Sequence, residues 1–281
     1  MWSRNKANLY IQDALNDFHY DPKALPSPVA QRKIYRNKLM ITHLTGFGGG
    51  VSGVAGTSYC FDGIGDKLTS PEHANWQLGG GGGNFTIDLW IRLSAVSNNG
   101  MVSQREDDEN HWGFYFDSNG INFAQQVADS VTINIAQGSS AGWSTNIWYH
   151  VALIRGWSGN ANDYALTRDG AAVKTETEAD ALADFTGEFN IGWTSFGNWY
   201  TDGYIDEFRI SNTARWTADF SASLPTVAYT SDANTHLLIH CDETIKTGST
   251  GSGATFDDSG NTTHEMTENS NAIRSSAQFK F

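Results

Sequence analysis

The chain has 281 residues, ten Trp, ten Tyr, fifteen Phe and twenty-nine Gly, and a formal net charge of −13. It has no apolar run near 18 residues, so no membrane-spanning helix is expected, and its early charges, Arg4 and Lys6, precede no apolar stretch, so no secretory signal is expected. Two cysteines, Cys60 and Cys241, are too few for a disulfide framework and read as buried, reduced thiols.

Residues 1–20 carry Leu9, Ala14, Leu15 and Phe18 at helix-like spacing, and Asp21-Pro22 ends that pattern. Three of the five prolines fall in residues 22–30, and glycines break the chain at 46–53. Residues 1–57 therefore read as an extended, partly helical arm, too short and interrupted for its own core. Residues 1–40 hold seven basic and three acidic residues, a net of +4 that leaves −17 on the remainder. Arg4, Lys6, Arg32, Lys33, Arg36 and Lys38 are the docking residues of this arm, suited to an acidic surface on another protein or on a second copy. Nucleic acid is not the expected partner, because the basic residues alternate with proline and aliphatics and the acidic body repels a polyanion.

From residue 58 onward the pattern is that of strands. They are expected near 85–93, 100–104, 111–117, 120–127, 130–136, 147–155, 163–167, 170–176, 187–192 and 203–210. Asp169-Gly170 between two apolar runs is a two-residue hairpin signal. The five-glycine run 79–83 reads as a flexible turn or a place of close backbone approach. Residues 176–184 read as an acidic loop or helical turn. In the segment 203–210 (GYIDEFRI), alternation puts Tyr204, Asp206, Phe208 and Ile210 on one face and Ile205, Glu207 and Arg209 on the other.

Four stretches, in order, carry a resemblance. They are 58–68 (SYCFDGIGDKL), 85–93 (FTIDLWIRL), 148–155 (WYHVALIR), and 203–210 continuing through Ser211 to Trp216. They resemble laminin-G-like domains of the concanavalin A-like jelly-roll class, in the form found in bacteriophage virion proteins. The resemblance implies an all-β, two-sheet antiparallel sandwich over residues 58–230. Residues 231–281 contain 236–243 (HLLIHCDE), 256–261 (FDDSGN) and 272–275 (AIRS), pieces that come first in related domains. The order looks permuted. These strands complete the jelly roll in the same chain, complete that of a neighbour, or begin a second repeat.

Chemistry is sparse. Glucanases of this class set two carboxylates on one strand face, and adjacent Asp206 and Glu207 are expected to point to opposite faces. No nucleophile elbow, His-Glu-x-x-His or phosphate loop is present. His236 and His240 share a face of one expected strand, without a third ligand for zinc. His150 matches a family position and reads as a packed strand residue. The resemblance implies calcium as the one conceivable cofactor, with Asp107, Asp108, Glu109, Asp202 and Asp206 as candidates. Trp143, Trp157, Trp193, Phe196, Asn198, Trp199 and Tyr200 lie in or beside expected loops, and 192–200 is the best sugar-binding stretch. The reading set ahead of sugar binding is that these rings fill a sandwich margin or an intersubunit contact.

The expectation is a non-enzymatic bacteriophage virion structural protein, an accessory or decoration protein on the particle surface. Its partners are other virion proteins (the major capsid protein or tail components) and further copies of itself, with no membrane. The alternative is a carbohydrate-binding tail fibre or receptor-binding protein that engages a host surface glycan.

Overall fold

The computed structural model describes residues 57–241, 255–256, 264–270, 272–275 and 277–281, so the docking-arm residues Arg4, Lys6, Arg32, Lys33, Arg36 and Lys38 lie outside the described residues. Eighteen strands run through the described residues. The first seven are β1 (Ser58–Asp62), β2 (Lys67–Ser70), β3 (Phe85–Leu93), β4 (Asn99–Arg105), β5 (His111–Asp117), β6 (Gly120–Val127) and β7 (Ser130–Ala136). Then come β8 (Trp148–Arg155), β9 (Asp163–Arg168), β10 (Ala171–Thr177), β11 (Glu188–Ile191), β12 (Trp193–Thr194), β13 (Trp199–Tyr200) and β14 (Asp202–Ser211). The last four are β15 (Thr235–Ile239), β16 (Thr255–Phe256), β17 (Met266–Asn269) and β18 (Ile273–Ser275).

Two antiparallel sheets face each other in a jelly-roll sandwich. The first has the order β10-β9-β8-β3-β14-β1-β18, with β15 also paired to β14. The second runs β16-β17-β2-β11-β4-β5-β6-β7. Alternation decides what each strand contributes. Phe85, Ile87, Leu89, Ile91 and Leu93 of β3 enter one core with Trp112, Phe114 and Phe116 of β5 and Phe189 of β11. Trp76 stacks on Phe189 at 4.4 Å and 16° and closes that core. Asp169 (φ 48°) and Gly170 (φ 80°) make the tight turn between β9 and β10, both left-handed as that hairpin requires. Residues 178–187 form a loop.

The C-terminal strands pair within the same chain: β15 on β14, β17 on β2 and β18 on β1. β17 has no counterpart among the sequence expectations. Cys60 and Cys241 are both buried.

The main departure from sequence alternation lies in β14. The pairing of β14 with β3 shifts register between Asp206 and Arg209, and Glu207 adopts φ 49°. This is a β-bulge, one extra residue that re-aims every side chain after it. Ile205, Phe208 and Ile210 consequently all face the core. Tyr204 and Arg209 face outward, Tyr204 beneath Arg92 and Arg209 over the Tyr229 ring. Asp206 and Glu207, expected on opposite faces, both reach the outer side of the first sheet. Asp206 lies opposite Trp90, and Glu207 meets Tyr229.

That outer side is closed by the chain that follows β14. Trp216, Phe220 and Leu224 pack over Ala152, Ile154 and Ala165. Tyr229 and Phe281 pack with Trp90 and Leu238. Trp216 and Phe220 stack at 3.9 Å, with His150 edge-on to both rings.

Candidate functional site

The aromatic stretch singled out in the sequence forms a small hairpin, β12 paired with β13 so that Trp193 faces Tyr200 and Thr194 faces Trp199. Its turn uses Gly197 (φ 70°) and Asn198 (φ 52°). The hairpin lies on the outer face of the second sheet. Ser103 Oγ donates to the Trp193 carbonyl at 2.8 Å, and Thr201 Oγ1 donates to the Gly100 carbonyl at 2.6 Å. Two strand glycines allow the close approach. A Cβ on Gly100 would stand 2.3 Å from Thr194 N and 2.4 Å from the Trp199 carbonyl oxygen. One on Gly113 would stand 2.4 Å from Thr194 Oγ1 and 3.0 Å from Phe196 Cδ2.

The hairpin gathers rings from sequence-distant strands. Phe196 lies 5.4 Å from Tyr115, stacked at 24°, and meets His111 edge-on at 4.5 Å. Trp199 meets Tyr115 edge-on at 5.8 Å. Trp193 lies 6.4 Å from Tyr200, and its Nε1 donates to Asn198 Oδ1 at 2.9 Å. Lys67 Nζ sits 5.1 Å from the Trp193 ring centre and donates to Asn190 Oδ1 at 2.8 Å, with Glu188 Oε2 at 3.3 Å. Trp193, Phe196, Trp199 and Tyr200 remain half-buried and Asn198 exposed. Burial, and then the charge of Asp117, push the Tyr115 hydroxyl up to about 12, so it stays a neutral donor near neutral pH. Burial also holds His111 below its usual value. The site is thus an aromatic surface with amide and hydroxyl groups around it and the Lys67–Glu188 pair at its margin. Lys67, His111 and Tyr115 were not identified as site residues from sequence. The strand-interior glycines Gly100 and Gly113 were the available signal. Trp143 and Trp157, also in loops, are largely buried and packed elsewhere.

The metal candidates do not converge. Asp107, Asp108 and Glu109 sit in the exposed turn between β4 and β5 of the second sheet. Asp107 Oδ1 accepts from Glu109 N and Asn110 Nδ2, and Asp108 pairs with Arg105. Asp202 begins β14 of the first sheet, opposite Asp62 of β1. Among the described residues no group of three or more His, Cys, Asp or Glu side chains is arranged to hold a metal ion. His236 and His240, expected on one strand face, part company: the pairing of β14 with β15 shifts register at His236, and His240 lies just past the end of β15. His240 Nδ1 lies 2.9 Å from Glu207 Oε1. His236 is grouped with His73 and His264; burial, opposed by the Asn75 backbone and then reinforced by those two rings, lowers its pKa.

The carboxylates on the outer side of the first sheet are already engaged. Asp206 Oδ2 accepts from Lys280 N at 2.7 Å, and Oδ1 from Glu207 N at 2.9 Å. Glu207 Oε2 accepts from Tyr229 N at 2.7 Å. Asp88 receives a bidentate Arg209 at 3.0 and 2.8 Å, with His150 Nε2 3.5 Å away. Burial by itself raises the Asp88 pKa, but the Arg209 charge and the hydrogen bonds outweigh it and hold the carboxyl at about 2. These groups are buried and each is bonded within the protein, Asp88 to Arg209 of β14, Glu207 to Tyr229 N and Asp206 to Lys280 N, which suits structure rather than proton transfer to a sugar.

A two-sheet antiparallel jelly roll with an aromatic hairpin on one outer face has the form of a lectin-like domain. The sequence places it further: residues 62–219, more than half of the chain, match the family described as the concanavalin A-like lectin/glucanases superfamily (Laminin_G_3), and the chain belongs to it. Among solved structures, a Bacteroides ovatus protein named "putative carbohydrate binding protein" aligns with TM-score 0.55 at 13% identity, covering 79% of this chain and 60% of that one. This chain therefore spans 60% of that protein's length. The heptameric SAP-like pentraxin of Limulus polyphemus aligns with TM-score 0.42 at 18% identity, covering 64% of this chain and 84% of its own. Domain 4 of AbnA, an extracellular arabinanase from Geobacillus stearothermophilus solved with arabinotriose, gives TM-score 0.43 at 14% identity, covering 63% and 82%. At these identities the likeness is one of fold. No curated protein sequence matches the chain.

Proposed function

We propose that the chain is a non-catalytic, lectin-like binding module whose ligand is a neutral carbohydrate held at the β12–β13 hairpin. One observation carries this reading: four half-buried rings, Trp193, Phe196, Trp199 and Tyr200, are held on an outer face beside the exposed Asn198. Aromatic faces pack on the apolar side of a pyranose ring, while amide and hydroxyl groups bond its hydroxyls. The net charge of −13 disfavours acidic polysaccharides. The name of the Bacteroides ovatus protein points in the same direction. The test is binding of the full chain to a panel of neutral oligosaccharides by calorimetry. Trp193→Ala and Trp199→Ala are each expected to weaken binding by about tenfold or more, the cost of removing a central aromatic contact. A wild-type chain that binds none of the panel overturns the reading.

A second reading concerns where the module is carried: on the surface of a bacteriophage particle, as an accessory or decoration protein attached through residues 1–57. The charge segregation supports it, +4 over residues 1–40 against −17 on the rest, as does the resemblance of 203–216 to the form found in bacteriophage virion proteins. Capsid or tail proteins are then the partners, and many displayed copies convert weak single sites into useful avidity. Deleting residues 1–45 is expected to abolish attachment to particles and leave carbohydrate binding intact. Unchanged attachment overturns it.

A further inference from the structure

Every open sheet margin presents unpaired backbone donors and acceptors, and proteins normally guard it. Among the described residues the two sheets end in five strands, β10, β15, β18, β16 and β7, and β15 is guarded by cover, four of its five residues being buried. β18 and β16 are guarded by length, three and two residues. β10 is guarded by charge and irregularity, with Lys174 and Glu176 paired at 2.8 Å and a register shift between Ala172 and Lys174. β7 is different. Its seven residues, Ser130–Ala136 (SVTINIA), include no charge and no proline, and among the described residues it pairs with β6 alone.

The side chains of β7 are arranged for a continued sheet. Ile133 and Ile135 are fully buried in the sandwich core. The pairing with β6 shifts register so that Gln126 meets Val131 and Gln125 meets Ile133, leaving Thr132 as the extra residue. Thr132 is tied inward, its Oγ1 accepting from Gln125 Nε2 at 2.9 Å. The shift turns Val131 outward, where it is 57% exposed, alongside the exposed Asn134. An apolar and a neutral polar residue thus mark the open strand of a strongly acidic chain.

We propose that β7 is a self-association edge: two copies pair β7 to β7, antiparallel about a two-fold axis, and continue the second sheet across a dimer. The occupant follows from charge. Two copies of a −13 chain repel through most of their surface. An uncharged strand set against itself adds no like-charge contact and repeats each backbone bond on both sides of the axis. The buried isoleucine rows of the two copies then run on into each other.

The experiment is sedimentation of the full chain beside the double variant Val131→Lys/Asn134→Lys, both positions being exposed and outside the core. The native chain is expected at twice its 30.8 kDa mass. The lysine variant is expected to associate about tenfold more weakly or not at all, because like charges face each other across the axis. A matching Val131→Glu/Asn134→Glu variant mixed with it should restore the doubled mass. A native chain of single mass overturns the proposal, as does a lysine variant that keeps the doubled mass, which would move association to another surface such as residues 1–57. Should the variants fold poorly, hydrogen exchange of the native chain decides. Slow, concentration-dependent exchange of outward β7 amides supports the pairing, and fast exchange at every concentration overturns it.

Discussion

The two outer faces of this sandwich handle polar and aromatic groups in opposite ways. On the first sheet, carboxylates are sealed under a covering segment and each is bonded: Asp88 to Arg209, Glu207 to Tyr229 N, Asp206 to Lys280 N. On the second sheet a two-strand hairpin covers the surface only in part, and its rings keep open area. A charge removed from water must be paired to be tolerated. An aromatic ring half in water carries no such penalty and remains available to a partner. The sealed face therefore reads as structure and the half-open face as function, although the sealed face holds most of the ionisable chemistry.

The largest effect should come from breaking the sealed face. Asp88→Asn leaves the buried Arg209 guanidinium without its counter-charge, and a loss of about 3–5 kcal/mol is expected in urea unfolding. Acid should act on the same pair. The folded-state pKa of Asp88 is about 2 against an ordinary 3.8, so the unfolded chain takes up the proton first. The pair's contribution is complete above pH 3.8 and is lost as the pH falls from 3.8 through 2, a change of about 2 kcal/mol. Comparing the acid limb of the stability curve for the native chain and Asp88→Asn checks this. Parallel limbs would remove Asp88 from the account.

A smaller effect should come from the open face. Gly100→Ala drives a methyl group against backbone atoms of the hairpin, Thr194 N at 2.3 Å and the Trp199 carbonyl at 2.4 Å. Overpacking of this kind costs about 1–3 kcal/mol. Gly113→Ala meets side chains instead, Thr194 Oγ1 and Phe196 Cδ2, which have more room to turn. It should cost less and disturb tryptophan emission less. In both variants carbohydrate affinity is expected to fall further than stability does. A Gly100→Ala chain with native affinity would detach the hairpin from binding and erase the functional half of the contrast.

Much of the fold was legible because strand alternation and turn chemistry are local. The strands of 85–136 and the Asp169-Gly170 hairpin follow from residue type and spacing alone. The bulge at Glu207 was not legible, because its cause lies elsewhere in the chain. The Glu207 carboxylate is bonded to Tyr229 N and lies against His240, residues that lie in the covering segment and just past the end of β15. The aromatic half of the candidate site was visible as a cluster in 193–200. Its support was not, since Lys67, His111 and Tyr115 come from strands that only the sheet order brings together. Asp107, Asp108 and Glu109 stood as metal candidates for the converse reason. Local density of carboxylates does not reveal that Asp107 accepts from Glu109 N and Asn110 Nδ2 within the turn and that Asp108 pairs with Arg105.

The smallest effect sharpens the comparison most directly, because it sets a second bidentate arginine–carboxylate pair in the open. Arg215 holds Asp232 with two bonds of 3.0 Å, Nη1 to Oδ2 and Nη2 to Oδ1. Those bonds are the main cause of an Asp232 pKa of about 2, the same value as Asp88. Yet the Asp232 side chain is 48% exposed, where the Asp88 side chain is 0% exposed. Water and salt screen the exposed pair, so Asp232→Asn should cost only about 0.5–1 kcal/mol. That cost should shrink on moving from low salt to about 1 M, where the screening length falls to about 3 Å. The Asp88→Asn loss should persist over the same range. Equal losses from the two substitutions would mean that bidentate geometry, and not the seal over the first sheet, sets the strength of these pairs.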